Sequence, residues 1–332
     1  MMYRSILVTG GCGFIGSNFV RRMRREHPDL KIINLDALTY AGNPQNLESL
    51  SDDPNYVFVK GRCEDADILN TIFTSHDIDA VVHFAAESHV DRSILDDTPF
   101  IYSNVLGTQT LLQASKQHQV KRYLQVSTDE VYGSLGEEGE FTEATPLSPN
   151  NPYSASKAAA DLLVHAYVQT YQFPAIITRC SNNYGPYQFS EKFIPLMIQQ
   201  IQAKQSLPVY GDGSNIRDWI HVEDHCAGVE AALYKGKDGE VYNLGGESEY
   251  RNIEVVKTLI KQLGASDDLI TFVEDRLGHD YRYAIDCTKA KKDLGWKQKT
   301  LFEDGLRSTI EWYQSNQAWS TAIQDGSYQK GI

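Results

Sequence analysis

The chain has 332 residues, 41% hydrophobic and 23% charged, with a formal net charge of −13. That balance suits a globular protein of two domains, or one large domain with an elaborated half, and opposes a nucleic-acid surface, which needs a basic face. No run of about 18 apolar residues occurs, no signal-peptide pattern precedes "SILVTGG", and the five cysteines form no C-x-x-C pair, so a cytoplasmic protein without a disulfide framework or metal is expected.

Arg4–Thr9 reads as a strand and Phe14–Arg25 as a helix. Lys31–Asp36 and Tyr56–Lys60 read as strands, Ala66–Ser75 as a helix and Asp79–Ala86 as a strand. A long helix is predicted over Thr98–Gln117 and a strand over Arg122–Thr128. The Gly-, Glu- and Pro-rich stretch 133–150 reads as a surface loop. Asn151–Tyr171 is a helix with Asn151 as N-cap and Pro152 at its first position. Ala175–Cys180 and Glu240–Gly246 read as buried strands. Continuously apolar strands alternating with helices predict an α/β fold, a doubly wound parallel sheet. After about residue 180 the rhythm shortens. The expected division is 1–180, joined by segments near 220–246, and a smaller domain over 181–332.

Gly10, Gly13 and Gly16 follow the first strand and open the first helix. Glycines there let backbone approach a pyrophosphate, and a helix N-terminus offers it free N–H groups. Asp36 ends the second strand, twenty residues past Gly16. An acid there binds a ribose 2′-hydroxyl and repels a 2′-phosphate, so NAD is favoured over NADP.

"YSASK" places Tyr153 and Lys157 one helical turn apart. An ammonium beside a phenol favours the phenolate, the form that acts as a base. In "STDEVYG", Asp129 and Glu130 sit where a buried strand ends. Adjacent carboxyls there can serve as acid and base if their surroundings push their pKa values apart. Strict alternation would send them to opposite faces, so the chain has to leave the strand at this point.

The motifs "TGGCGFIG", "STDEVYG" and "YSASK", in that order, together with "HFAAESHVDRS", "RCSNNYGPY", "EKFIP", "RDWIHVEDH" and "DRLGHDYRYAID", resemble the extended short-chain dehydrogenase/reductase family over essentially the whole chain. Within that family the similarity is to NAD-dependent nucleotide-sugar 4,6-dehydratases. The resemblance implies a Rossmann-type domain followed by a smaller substrate-binding domain. It also implies a reaction on a nucleotide sugar, dTDP-glucose or UDP-glucose, and a homodimer. Tyr153 would take the O4 proton with Thr128 hydrogen-bonding that oxygen, while the C4 hydrogen passes to NAD. Glu130 would remove the C5 proton, and protonated Asp129 would release the C6 hydroxyl as water. The hydride then returns to C6, leaving a 4-keto-6-deoxy sugar nucleotide for deoxysugar biosynthesis, rhamnose among its outlets.

Matching positions imply cofactor contacts at Gly10, Gly13, Phe14, Ile15, Gly16, Asp36, Leu38, Thr39, Arg62, Cys63, Phe84, Ala85, Ala86, Ser88, Ser103, Tyr153, Lys157 and Asn183. They imply substrate contacts at Ser88, Thr128, Asn182, Lys192, Phe193, Pro208, Val209, Tyr210, Arg217, Asn252, Asp275, Arg276 and His279. Arg217 is the leading candidate for the diphosphate.

Some positions depart from the family pattern. Arg62 and Cys63 replace a usual acid and aliphatic residue, although Asp65 is kept. Leu277 replaces a usual proline, Tyr281 a usual arginine, and Ser103 a common threonine. These changes leave the base open between thymine and uracil. "HVEDH" puts His221 and His225 four apart, but Val222 stands where a metalloprotease needs Glu and no third ligand is evident. Two alternatives share the cofactor motif: a UDP-sugar 4-epimerase or decarboxylase, and a non-catalytic NAD-binding sensor. Helix Asn151–Tyr171 is apolar on more than one face, which with helix Thr98–Gln117 predicts a dimer contact.

Overall fold

The computed structural model describes residues 3–275 and 278–329. Its strands, in chain order, are β1 (Ser5–Thr9), β2 (Lys31–Asp36), β3 (Tyr56–Lys60), β4 (Ala80–His83), β5 (Arg122–Thr128), β6 (Ala175–Cys180), β7 (Asn182–Tyr184), β8 (Leu207–Tyr210), β9 (Ile216–His221), β10 (Val241–Leu244), β11 (Glu249–Arg251) and β12 (Ile270–Val273). Seven of them form one sheet in the order β10-β6-β5-β4-β1-β2-β3, and every pairing in it is parallel. The chain runs outward from β1 to β3, then restarts at β4 on the other side of β1. Ligands of such sheets bind at that reversal, beyond the strand C-termini.

The principal helices are α1 (Phe14–Glu26), α2 (residues 98–117), α3 (Pro152–Tyr171), α4 (Phe193–Gln202), α5 (Val222–Lys235), α6 (Asn252–Leu263) and α7 (Phe302–Ser315). One face of the large sheet is covered by Phe19, Val20 and Met23 of α1 and by Val229 and Leu233 of α5. The other face is covered by Leu111 and Leu112 of α2 and Val164 of α3, together with Leu69 and Phe73 from helix Ala66–Ser75. A separate core joins α4, α6 and α7 through Ile198, Leu259 and Leu306, with Trp219 of β9. Around it lie a sheet of β11-β9-β7 and a ribbon of β12-β8. β10 crosses back to pair with β6, and α5 packs on α1.

Two local differences from the sequence reading, and one loop that it read as such, bear on the site. The strand read over Asp79–Ala86 stops at His83. There the chain turns over Thr9, whose carbonyl accepts the Phe84 N–H and whose hydroxyl accepts the Ala85 N–H. α2 is continuous but opens into a π turn over Ile101–Leu106, a wide coil often found beside functional sites. The stretch 133–150 is a surface loop, as read, anchored at Phe141. Phe141 is buried, stacks on Tyr132 and bridges to Ile285.

Candidate active site

A cavity of about 310 Å³ opens at the reversal of strand order. Its floor is the turn between β1 and α1. Gly10 has φ +72°, and a Cβ there would lie 2.6 Å from the Ala85 nitrogen, while one on Gly16 would overlap the Gly10 carbonyl. Gly13 is the N-cap of α1, with no side chain covering the helix end. Asp36, 7% exposed, closes the turn from the side. One of its oxygens accepts the Cys12 N–H and the other the Leu38 N–H, each at 2.8 Å. Burial raises the pKa of its carboxyl, and these two N–H groups pull it back. Bare backbone at a helix N-terminus beside a held carboxyl fits a dinucleotide's pyrophosphate and ribose.

Phe14, Ile15, Thr39, Arg62, Cys63, Phe84, Ala85, Ala86, Ser88, Ser103 and Asn183 line the same cavity. Leu38 does not. It adopts φ +53° and donates its N–H to Asp36 beside the cavity. Cys63 is buried, its thiol pushed up to about 12 by burial, and it packs into the core beneath the cavity, whereas Arg62 is exposed and pairs with Glu64 at 3.1 Å. Ser103 reaches the cavity from the π turn.

Thr128, Asp129, Glu130, Tyr153 and Lys157 all line this cavity. β5 ends at Thr128, and Asp129–Tyr132 wind into a 3₁₀ turn that Thr128 caps by accepting the Glu130 N–H at 3.3 Å. This exit from the strand lets neighbouring carboxyls share a cavity. Asp129 is 2% exposed, and its Oδ2 has no hydrogen-bond partner. Burial, then the charges of Glu130 and Asp218, raise its pKa well above the usual carboxylate range. That unpartnered oxygen is open to a hydrogen bond within the cavity.

Tyr153 and Lys157 are both buried on α3. The Lys157 ammonium donates to the Val126 carbonyl at 2.8 Å. Its pKa is lowered by burial, with Asp161 the leading opposing charge. The Tyr153 phenol is pushed up by burial and then by Glu130. The sequence reading had the Lys157 ammonium and a positive nicotinamide together favouring the phenolate; in the protein alone burial sets the direction.

The residues expected at the substrate divide into two groups. Ser88, Asn182 and Lys192 line the cavity with Thr128. Asn182 has a buried oxygen without a hydrogen-bond partner, and Lys192 donates to the Ser88 carbonyl at 3.0 Å. Phe193, Pro208, Val209, Tyr210, Arg217, Asn252, Asp275 and His279 lie outside the cavity lining, on α4, β8, β9, the start of α6 and the segment after β12. Phe193 stacks on Trp219, and Val209 is buried in the second core. Arg217 spans the carbonyls of Ile216, Asp280 and Tyr281 and lies 4.5 Å over the Tyr283 ring. His279 bonds Asp275 at 2.6 Å and meets Tyr210 edge-on. Arg276 lies outside the described residues. Among the described residues no group of His, Cys, Asp and Glu is arranged to hold a metal. His221 caps α5, and His225 bonds Asn183 at 2.8 Å.

The profile of the GDP-mannose 4,6 dehydratase family matches residues 7–309. The chain belongs to this family. A dTDP-glucose 4,6-dehydratase of Xanthomonas campestris is 49% identical, over 97% of this chain and 96% of its own. Among solved structures, a dTDP-glucose 4,6-dehydratase of Bacillus anthracis in complex with NAD is 51% identical, with TM-score 0.91 over 96% of this chain and 99% of that one. That of Streptomyces venezuelae, with NAD and dTDP bound, is 48% identical with TM-score 0.93 over the same shares, 96% and 99%. A UDP-glucose 4-epimerase of Thermotoga maritima shares the fold at 28% identity and TM-score 0.88, covering 94% of this chain and 99% of that one.

The sequence reading missed several members of the family's cavity in this chain. Tyr40, Glu87, Gln188, Phe189 and Glu191 also line it. All but Phe189 adjoin or fall in a stretch or residue already singled out, such as "EKFIP". Periodicity carries no signal for them, because they sit on loops.

Proposed function

We propose that this protein converts dTDP-glucose to dTDP-4-keto-6-deoxyglucose and water, with NAD as its cofactor. The observation that carries the reading is the buried, neutral-leaning Asp129 beside Glu130, in one cavity with Tyr153 and the glycine turn. The high identity to dTDP-glucose 4,6-dehydratases supports thymine over uracil.

Gly10, Gly13, Gly16 and Asp36 would hold the dinucleotide, with Ala85, Ala86, Ser103 and Asn183 along it. When bound, NAD takes up and gives back the hydrogen at carbon and adds the positive charge that the phenol lacks. Tyr153 takes the O4 proton, Lys157 supports the phenolate, and the Thr128 hydroxyl orients the oxygen. The resulting 4-keto group acidifies C5–H, and Glu130 removes that proton. Asp129 gives its proton to the departing C6 oxygen. Each carboxyl thus acts on a different atom, which an elimination requires. Asn182 and Lys192 bind the sugar end. Arg217, His279 and Asn252 bind the diphosphate and nucleoside, so the lobe over 181–332 serves the substrate and the large sheet serves the cofactor.

Epimerisation needs Tyr153 and the cofactor but no buried neutral acid, so Asp129 favours dehydration. The test is to incubate the purified protein with dTDP-glucose and with UDP-glucose and follow products by NMR. A 4-keto-6-deoxy product from dTDP-glucose without net NADH is expected. A C4 epimer as the product would overturn the reading.

The protein acts as a homodimer. Leu95 just before α2, Ile101, Tyr102 and Leu106 in its first turns and Leu162 on α3 are exposed, from 40% at Leu106 to 88% at Leu95. An apolar face of that kind on two adjacent helices is the expected contact between copies. Five free, buried cysteines suit the reducing cytoplasm.

A further inference from the structure

Beneath the cavity runs a chain of buried polar side chains that the reaction as derived leaves unused. Thr9 ends β1, His83 ends β4, and the two face each other in the register of the sheet. The Thr9 hydroxyl lies 2.6 Å from His83 Nδ1, and His83 Nε2 lies 3.1 Å from the Thr108 hydroxyl on α2. Thr108 donates to the Asn104 carbonyl, 2.7 Å away in the π turn. There the chain branches. Asn104 Oδ1 accepts the Glu87 N–H at 2.8 Å, and Asn104 Nδ2 donates to the Glu87 carbonyl at 3.0 Å and to the Ser156 hydroxyl at 2.8 Å. Ser156 in turn donates to the Tyr153 carbonyl at 2.6 Å. Thr9, His83, Thr108, Asn104 and Ser156 are all buried.

The partners fix which ring nitrogen of His83 is protonated. Thr108 spends its hydrogen on Asn104, so towards His83 it can only accept. Nε2 therefore carries the ring hydrogen, and Nδ1 accepts from the Thr9 hydroxyl. Burial, then the charge of Lys157, lowers the imidazole pKa to about 3, which keeps the ring neutral. Tyr123 of β5 is tilted against it at 6.3 Å. We propose that His83 is a positioning residue of the reaction: a neutral strut in its Nε2–H form that props the π turn of α2 against the end of β1, and so sets Ala85–Glu87 against the helix bearing Tyr153. This rests on the dehydratase reading, in which a hydride and a proton leave C4 and its oxygen together. The cofactor wall and Tyr153 then have to keep one spacing. Apolar packing has no direction, whereas a buried chain with its donors and acceptors matched admits one arrangement.

The test compares His83→Leu with His83→Gln in the NAD-loaded enzyme. His83→Leu should lower kcat by about 10²-fold, the cost of a displacement near 1 Å, with KM for dTDP-glucose within about twofold. The lost rate should fall on C4 oxidation, so dTDP-glucose deuterated at C4 should show a larger isotope effect on kcat than with wild type. His83→Gln keeps one donor and one acceptor and should recover at least about tenfold of the loss, which a merely structural role would not predict. Nitrogen-15 NMR of the wild-type ring should show the hydrogen on Nε2 and no titration between about pH 5 and pH 8. If His83→Leu does not fold, Thr108→Val keeps the shape of that side chain, removes its hydroxyl and should slow the same step. A wild-type rate and isotope effect in the variant that folds, equal losses in His83→Leu and His83→Gln, or a hydrogen on Nδ1 would overturn the proposal. Absence of wild-type turnover would instead sink the dehydratase reading, leaving the NMR assignment to judge the strut.

Discussion

Most of the residues assigned to the cofactor follow the ends of adjacent parallel strands, β4, β1, β2 and β3, whose register the sheet sets. Those assigned to the nucleotide end of the substrate come from a three-stranded sheet, a two-stranded ribbon and a helix start. On the first side the Asp36 oxygens, the Thr128 cap and the Lys157 ammonium are each fixed by backbone groups within one structural layer. On the second side Arg217 leans on the carbonyls of Asp280 and Tyr281, and His279 on Asp275, all beyond β12. A rigid sheet edge suits chemistry that needs sub-ångström placement. A wall assembled from separate pieces suits recognition of a long, polar ligand.

Four substitutions test that contrast, from the largest effect to the smallest. Tyr153→Phe keeps the ring and removes the base, so kcat should fall about 10²–10⁴-fold with KM little changed. A fall confined to KM would mean that the rigid side merely binds. Asp129→Asn should leave C4 oxidation near wild type and slow water loss by about 10²-fold, seen as transient NADH in single turnovers. Equal loss of both steps would remove Asp129 from its role.

The same substitution carries a stability signature. The folded-state pKa of Asp129 is raised above its unfolded value, so the folded state holds a proton that the unfolded chain releases. Its stabilising contribution is complete below about pH 4 and declines as pH rises. Asp129→Asn should therefore gain on wild type toward alkaline pH, by about 2 °C or more in Tm at pH 8. An unchanged Tm difference between pH 4 and pH 8 would count against the neutral acid.

Arg217→Lys probes the other wall. Loss of the planar fork should raise KM for dTDP-glucose about tenfold and alter kcat less. A fall in kcat of that size with KM unchanged would move Arg217 to the chemical side. Leu162→Arg, on neither wall, should halve the mass in solution and change kcat/KM least.

The large sheet was legible because its strands are short apolar runs bounded by turn residues, and because Gly10, Asp36, Tyr153 and Lys157 fall at spacings set by one strand or one helical turn. Asp129 and Glu130 raised their own question as paired acids at a strand end. The structure adds the turn that answers it, since a 3₁₀ cap depends on the Thr128 side chain rather than on periodicity. The π turn in α2 left no trace in composition. Phe141 was hidden in a Gly- and Glu-rich stretch because its burial depends on residues 284–286, far along the chain. The φ of +53° at Leu38, which lets its N–H reach Asp36, left no trace in the sequence.

Asp36 is also a structural keystone, because both its oxygens hold the backbone of the loops around it. Swapping it for a smaller neutral residue to welcome a 2′-phosphorylated coenzyme would strip the Cys12 and Leu38 amides of their acceptors. Re-engineering coenzyme preference in this scaffold therefore calls for replacing the segment 36–42 as a unit, so that a new residue takes over the scaffolding duty while the binding duty changes hands.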